Sequence, residues 1–142
     1  LHYSQFVDRL IKNGDIKPVK MLDVTMAYHD SCFLGRHNGV YDEPRDVAKA
    51  IPGLKLVEMG SRCRERGFCC GAGGGHMWIE ESQGDRVNHA RTDQFIDTDA
   101  DMVGVSCPFC VQMLDEGIQA KGLASEKQAK DVIELLADSL DL

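Results

Sequence analysis

The sequence predicts one α/β domain in which a short, mostly parallel sheet is flanked by helices. Three short apolar segments with strand character alternate with longer segments of helical periodicity. This alternation is typical of βαβ units, in which the strands are parallel. The length of 142 residues and the hydrophobic content of 43% suit one ordinary globular domain. No long linker, low-complexity segment or clear internal repeat divides the chain, so residues 1–142 are assigned to a single domain.

The first part of the chain contains two predicted helices with one strand between them. Tyr3–Asn13 is amphipathic and is followed by a glycine, which indicates a helix. Met21–Tyr28 mixes apolar residues with polar ones at alternate positions, which indicates the first strand. Asp42–Ala50 begins with Asp-Glu-Pro, and this start predicts a helix capped by Asp42 with Pro44 in its first turn.

The second part contains two further strands and three helices. Leu54–Met59 follows a Pro-Gly break and is the second predicted strand. A polar helix is predicted at Ser82–Ile96, and the third strand is predicted at Asp101–Ser106. Pro108–Ala120, which ends near a glycine, and Asp131–Leu140 complete the series as helices.

Composition and charge disfavour several classes of partner and location. The net charge of −7 disfavours binding to a nucleic-acid backbone. No apolar run approaches the ~18 residues of a membrane span, and no signal peptide is evident. We therefore expect a cytoplasmic chain without a nucleic-acid partner. The sequence begins at Leu1 without a methionine, and we expect it to be a fragment of a longer protein.

Five of the six cysteines follow the predicted carboxyl ends of strands. Six cysteines in 142 residues are fewer than a disulfide-dense secreted scaffold carries, so metal or redox chemistry is favoured over structural disulfides. The carboxyl ends of parallel strands share one edge of a sheet, and functional groups collect there. We expect the five cysteines to meet at that edge. They are Cys32, Cys69, Cys70, Cys107 and Cys110.

Cys107-Pro108-Phe109-Cys110 is a CxxC motif at the predicted start of a helix. The helix dipole and the free N–H groups at this position favour thiolates, which are the form that binds metal. Such a motif occurs in redox, zinc and iron–sulfur sites. A zinc-stabilised structural or interaction module, and a thiol–disulfide switch that uses Cys107 and Cys110, are therefore alternatives to an iron–sulfur site.

The adjacent pair Cys69-Cys70 runs directly into the glycine-rich segment GAGGG. Neighbouring side chains diverge, so two adjacent thiols reach two metals of one cluster more readily than they reach a single ion. Gly71, Gly73 and Gly74 allow close approach of the backbone, and their N–H groups can donate hydrogen bonds to cluster sulfides. A phosphate-binding loop is disfavoured because the segment lacks the Lys-Ser/Thr of a P-loop.

Two histidines border the predicted cysteine loops. His29 lies three residues before Cys32, and His76 directly follows the glycine-rich segment. Both are candidates for contacts with a cluster. Met77 and Trp78, which come next in the chain, are expected to pack beneath the glycine-rich loop as a hydrophobic lid.

The cysteine spacing resembles that of the CCG cysteine-rich domain. Cys32 is followed after 36 residues by Cys69-Cys70-Gly71 and after a further 35 residues by the CxxC motif. The family includes a heterodisulfide reductase subunit and the iron–sulfur subunit of glycolate oxidase. The resemblance implies a noncubane 4Fe–4S cluster and electron transfer, with the cysteines of the pattern as ligands. Carried over by position, these are Cys32, Cys69, Cys70, Cys107 and Cys110, whereas Cys63 has no place in the pattern.

A finer resemblance involves the segments HDSCFLGRHNGVYDEPR, FCCGAGGGHMWIEE and RVNHARTDQ. They look like the C-terminal domain of large, mainly actinobacterial, membrane-bound iron–sulfur reductases. The resemblance implies upstream partner domains: a second CCG motif, ferredoxin-like clusters and a membrane domain at the cytoplasmic face. It also implies transfer of electrons from electron-transfer flavoprotein to menaquinone. The family carries two CCG motifs and this chain carries one, so we expect the chain to be inactive alone.

Overall fold

One parallel sheet runs through the protein, which the computed structural model describes at residues 1–80 and 83–141. The strands of the described part are β1 Val24–Tyr28, β2 Leu54–Val57, β3 Met102–Val105 and β4 Gln128–Asp131. They lie in the order β2-β1-β3-β4, and every neighbouring pair is parallel. The predicted α/β class with a parallel sheet is confirmed.

Helices cover both faces of this sheet. They are α1 Tyr3–Asn13, α2 Asp42–Ala50, α3 Val87–Ile96, α4 Pro108–Ala120 and α5 Val132–Ser139. Met26 and Tyr28 of β1 pack with apolar residues of α1, α2 and α5, whereas Ala27 packs on the opposite face with α3 and α4. The two-residue repeat of a strand therefore divides the core into two layers. Among residues 1–80 and 83–141, no helix is both long and apolar enough to cross a bilayer.

The bounds of α1, α2 and α4 are the predicted ones. Gly14 ends α1 in the left-handed conformation, with φ of +83°. The predicted cap of α2 is wrong, because the N-cap is Tyr41 and Asp42 is the first residue of the helix. Asp42 still favours the helix, since its carboxylate lies at the positive end of the helix dipole. It also pairs with Arg64, at 2.8 Å between Oδ1 and Nη1.

The remaining elements differ from their predicted bounds. Helix α3 begins at Val87, and residues 83–86 before it are not helical, whereas the predicted first residue, Ser82, lies outside the described residues. Apolar positions that can pack on the core begin only at Val87, and packing supplies most of the stability of a short helix. Helix α5 begins one residue later than predicted because Asp131 is its N-cap, with its side chain accepting a hydrogen bond from Ile133 N at 3.1 Å.

Strand β4 was not predicted from the sequence. Its residues, Gln-Ala-Lys-Asp, show no alternation of apolar and polar side chains. The strand forms because it adds to the free edge of β3, with Met102 opposite Gln128 and Val105 opposite Asp131. Backbone pairing at a sheet edge does not need apolar side chains, so the sequence carries little signal for it.

Candidate metal centre

Three loops at the carboxyl edge of the sheet carry the five cysteines of the pattern. Cys32 follows β1, Cys69 and Cys70 follow β2, and Cys107 follows β3. Cys107 is also the N-cap of α4, so Cys110 lies in the first turn of that helix. Because β1 pairs in parallel with both β2 and β3, the three loops emerge side by side. The cysteine loops therefore lie at the edge of the sheet where the sequence places them.

Cys70 and Cys110 form the buried centre of the group. Their Sγ atoms lie 3.4 Å apart, and the two residues are 5% and 2% exposed. Cys32 and Cys107 join them in lining one cleft of about 350 Å³, whose remaining wall is mostly apolar. Cys69 does not line this cleft but borders a small adjoining pocket together with Cys32. All five are free thiols.

Hydrogen bonds concentrate negative charge on two of these thiols. Hydrogen bonds with Cys110 and Cys69, together with the nearby ring of His29, hold the pKa of Cys70 well below its ordinary value in spite of burial. The pKa of Cys107 is lowered to about 6 by its hydrogen bond with Cys110 and by the first amide groups of α4. The pKa values of Cys69 and Cys110 are raised, because each thiol is hydrogen-bonded to a neighbouring sulfur in its protonated form and because both are shielded from water. The site thus presents thiolates at Cys70 and Cys107, the form that metals bind.

The glycine-rich loop wraps closely around this group. Gly71 has φ of +92°, and its N–H donates a hydrogen bond to Cys69 Sγ at 3.2 Å. A Cβ at Gly71 would lie 3.2 Å from the backbone nitrogen of Asn88, so a side chain there would meet both strain and crowding. Gly73 lines the cleft, and Gly74 has φ of +66°. Glycine is therefore required most clearly at position 71.

His29 lies between the buried cysteines and a buried arginine, Arg91. Its side chain is 1% exposed, and its Nδ1 lies 3.0 Å from Nε of Arg91. A ring nitrogen of His29 and the Sγ atoms of Cys70 and Cys110 all lie within 4.8 Å of one another. Burial lowers the pKa of His29, so the imidazole ring is neutral at physiological pH.

Arg91 is a buried cation that makes no ion pair among the described residues. Its Nη1 donates to the carbonyl oxygen of Arg62 at 2.9 Å and to Oε1 of Gln94 at 2.7 Å. Its Nη2 has no hydrogen-bond partner in the described part of the chain. Burial lowers the pKa of Arg91 to about 10, which leaves the guanidinium charged at neutral pH.

This donor set fits a thiophilic metal or an iron–sulfur cluster. Thiolates are soft ligands that suit zinc and iron–sulfur clusters. Five thiols exceed the four ligands of a tetrahedral zinc site. Nε2 of His29 is buried and has no hydrogen-bond partner of ordinary geometry among residues 1–80 and 83–141. A sulfur atom bound beside Cys70 and Cys110 would supply the acceptor that this nitrogen lacks.

The pattern formed by these residues matches the family profile described as CCG, a cysteine-rich domain, over residues 26–115. The chain belongs to this family. The matched region contains all five clustered cysteines together with His29 and Arg91. The family resemblance predicted from the cysteine spacing is confirmed.

Known relatives of this CCG domain are larger proteins. The chain is 48% identical over 98% of its length to a probable iron–sulfur-binding oxidoreductase, FadF, of Bacillus subtilis, and covers 20% of that protein. It is 44% identical over 99% of its length to an EtfAB:quinone oxidoreductase of Syntrophomonas wolfei, and again covers 20% of that protein. It is 42% identical over its whole length to a dihydromethanophenazine:CoB–CoM heterodisulfide reductase polypeptide of Methanosarcina acetivorans, and covers 34% of that polypeptide. The CCG domain therefore spans between a fifth and a third of the length of these relatives.

Some residues near the cysteine loops lie outside the cysteine cleft or are placed differently from the prediction. His76 borders a separate small pocket with Gly71 and does not line the cleft of the CCG domain. Met77 packs against the core as expected. The expected packing of Trp78 beneath the loop is wrong, because this side chain is 78% exposed at the mouth of the cleft. Cys63 lies apart from the cleft, where its thiol contacts the carbonyl oxygen of Gly60 at 3.4 Å.

A buried ion-pair network beneath the cysteine loops was not evident from the sequence. Arg45 of α2 donates two hydrogen bonds of 2.7 Å to the carboxylate of Asp30 and two, of 2.6 and 2.9 Å, to Glu58. Asp30 also accepts a hydrogen bond of 2.7 Å from the backbone N–H of Arg64. The network ties the loop after β1, which carries Cys32, to the segment after β2. Asp30 and Arg45 are ordinary charged residues in the sequence, so only their shared burial distinguishes them.

Proposed function

We propose that this CCG domain binds an iron–sulfur cluster and transfers electrons as one part of a larger oxidoreductase. The observation that carries the proposal is the convergence of thiols from three separate loops on one edge of a parallel sheet. Two of them, Cys70 and Cys110, are buried with their sulfurs 3.4 Å apart. The iron–sulfur and oxidoreductase names of the relatives support the same function.

The proposed ligands are the five cysteines of the pattern, and the proposed cluster is a noncubane 4Fe–4S cluster. The surroundings of the adjacent pair support this assignment, although the two thiols lie close enough to share a hydrogen bond. Cys70 lines the cleft with Cys107 and Cys110, whereas Cys69 borders the adjoining pocket, and Cys32 lines both. Two neighbouring thiols that border different pockets can bind different iron atoms of one cluster. A site with a single metal ion offers no second atom for such a pair.

Bound iron and sulfide would supply one-electron redox chemistry, and the chain would bind, cover and tune them. The first turn of α4 stabilises the thiolate of Cys107 through its free amide groups. Gly71 brings backbone N–H groups close to the sulfurs, with Gly73 and Gly74 continuing the same loop. Burial of Cys70 and Cys110 keeps water from the inner side of the site.

We further propose that the complete protein contains a second CCG motif, ferredoxin-like clusters and a membrane domain. The relatives are three to five times as long as the segment that they share with this chain, which leaves room for such domains. The name of the Syntrophomonas relative contains both EtfAB and a quinone. Because quinones dissolve in lipid, this name supports electron-transfer flavoprotein as donor and a position at a membrane, and we propose the cytoplasmic face.

Anaerobic reconstitution with iron and sulfide tests the proposal. The chain should bind iron and sulfide in near-equal amounts and show a cluster signal by electron paramagnetic resonance. Separate Cys→Ser variants at the five proposed ligands should lose or strongly alter that signal. Cys63→Ser is the matched control, since Cys63 lies in the same region of the chain but outside the cleft.

Two results would contradict the proposal. One is retention of a single zinc ion without sulfide, with binding that survives loss of one of the five thiols. This would indicate a structural zinc module. The other is a metal-free chain in which Cys107 and Cys110 form a reversible disulfide, which would indicate a thiol–disulfide switch.

A further inference from the structure

His29 and Arg91 form a hydrogen-bonded pair that is shielded from solvent. The two residues are 1% and 0% exposed. Arg91 Nε and His29 Nδ1 are 3.0 Å apart. The main chain holds His29 in place as well, because its N–H donates to the carbonyl oxygen of Gly104 on β3 at 2.9 Å. Neither ring nor guanidinium is therefore free to exchange this contact for water.

The chemistry of this pair determines which nitrogen of His29 carries the proton. A guanidinium has only donors, so Nδ1 of His29 must be the acceptor. A neutral imidazole with an accepting Nδ1 carries its proton on Nε2. A proton on Nδ1 would point at the Nε–H of Arg91. Two buried donors would then face each other, and neither would have an acceptor in this contact.

The remaining nitrogen faces the cysteines. A ring nitrogen of His29 lies within 4.8 Å of the Sγ atoms of Cys70 and Cys110, and Nδ1 is occupied by Arg91. Nε2–H is thus the group available to the thiolates and to any sulfur bound among them. A protonated Nε2 has no lone pair for a metal, so this position suits a hydrogen-bond donor and does not suit a ligand.

Arg91 also places a positive charge behind this donor. It has no carboxylate partner in the described part of the chain, and its Nη2 is unpartnered there. A buried cation without a partner is unfavourable unless negative charge lies nearby. The negative charges near the guanidinium are the carboxylate of Asp30, which is already paired with Arg45, and the thiols of Cys110 and Cys70 on the far side of His29.

We propose that Arg91 holds His29 as the Nε2–H tautomer, so that His29 donates a hydrogen bond to a cluster sulfur and is not a metal ligand. Arg91 is then a positioning residue and the buried countercharge of the site. The identity of the acceptor rests on the proposed iron–sulfur function, whereas the tautomer of His29 does not. The hydrogen bond from His29 and the positive charge of Arg91 both stabilise the reduced, more negative cluster. Both therefore raise its reduction potential.

The tautomer can be measured directly on the reduced, metal-free chain labelled with 15N-histidine. Two-bond 15N–1H correlation spectra distinguish the two neutral tautomers, and the His29→Gln spectrum assigns the signal among the five histidines. His29 should carry its proton on Nε2 in the wild type. Arg91→Leu should weaken this preference and raise the share of the Nδ1-protonated tautomer. A proton on Nδ1 in the wild type would overturn the proposal.

The role toward the cluster is tested on the reconstituted chain by pulsed electron paramagnetic resonance and by redox titration. A weak coupling between the cluster and a histidine nitrogen, lost in His29→Gln, is expected for a hydrogen bond. A strong coupling would show a directly bound nitrogen and would overturn the proposal. The midpoint potential should fall in Arg91→Gln and fall less in Arg91→Lys, which retains the charge.

Lys121→Gln is the matched control for charge. Lys121 forms a surface ion pair with Asp93 of α3, at 2.7 Å between Nζ and Oδ1, so its loss should leave the potential unchanged. Equal shifts in Arg91→Gln and Lys121→Gln would overturn the role of Arg91. If the wild type binds no iron or sulfide, the proposed function fails, and the nitrogen spectra still decide the tautomer.

Discussion

Removal of the Arg45 side chain should destabilise the protein far more than removal of a surface arginine. In Arg45→Ala the carboxylate of Asp30, whose side chain is 4% exposed, loses both of its hydrogen bonds from the guanidinium. Its one remaining partner among the described residues is the backbone N–H of Arg64. Breaking a buried ion pair from one side costs about 3–5 kcal/mol, because the other charge stays buried. The guanidinium also stacks on the Tyr28 ring at 4.8 Å, so some packing is lost as well.

Urea denaturation of the reduced chain, followed by circular dichroism, measures this loss. With a slope of about 2 kcal/mol per molar urea, the midpoint should fall by about 2 M. Such a loss is a large part of the ~5–15 kcal/mol that stabilises an ordinary domain. Arg64→Ala is the control, because its ion pair with Asp42 is exposed, at 39% and 73% for the two side chains. It should cost about 0–1 kcal/mol.

A double-variant cycle separates the ion pair from general damage. If the two charges stabilise each other, Asp30→Ala combined with Arg45→Ala should cost clearly less than the sum of the two single variants. The reasoning is refuted if Arg45→Ala lowers the urea midpoint no more than Arg64→Ala does. Strict additivity of the two single variants would refute the pairing itself.

Three further predictions concern the cysteine edge and its support. Because the pKa of Cys107 is lowered to about 6, iodoacetamide labelling of this residue in the metal-free chain should rise through about pH 6. Peptide mass spectrometry measures it, and a rise only near the ordinary value of about 8.5 would contradict the prediction. Gly71→Ala should bind less iron and sulfide than the wild type, because φ is +92° and the added Cβ would crowd a neighbouring backbone. Gly60→Ala, with φ of +55° in open space, is its control, and equal loss in both variants would argue against a local cause. Asp131→Ala removes the capping box of α5 and should cost about 1 kcal/mol, so an unchanged urea midpoint would contradict it.

Much of the fold could be predicted because its elements carry local signals. The helix at Pro108–Ala120 begins with a proline suited to the first turn, and its bounds were correct. The alternation in β1 indicated a strand, and the structure places Met26 and Ala27 on opposite faces. β4 was missed because its pairing with β3 depends on an edge built by distant segments.

In the candidate site, the position of the cysteine loops could be predicted from the sequence, but the direction of individual side chains could not. The cysteine loops could be placed at one edge because a parallel sheet aligns the carboxyl ends of its strands, whatever the details of the loops. The exposure of Trp78 was not predictable, since an aromatic residue after a glycine-rich loop suits a core position as well as a surface one. The direction of a side chain in a loop depends on contacts that the local sequence does not specify.

The spacing of Cys32, Cys69-Cys70 and the CxxC motif could be interpreted without coordinates, because ligand type and strand periodicity are properties of short segments. The roles of Arg91 and Arg45 became visible only in the folded chain. Arg91 is 62 residues from His29, and Arg45 is 15 residues from Asp30. Their charges matter here because the core closes over them and removes water, and burial is a property of the whole chain.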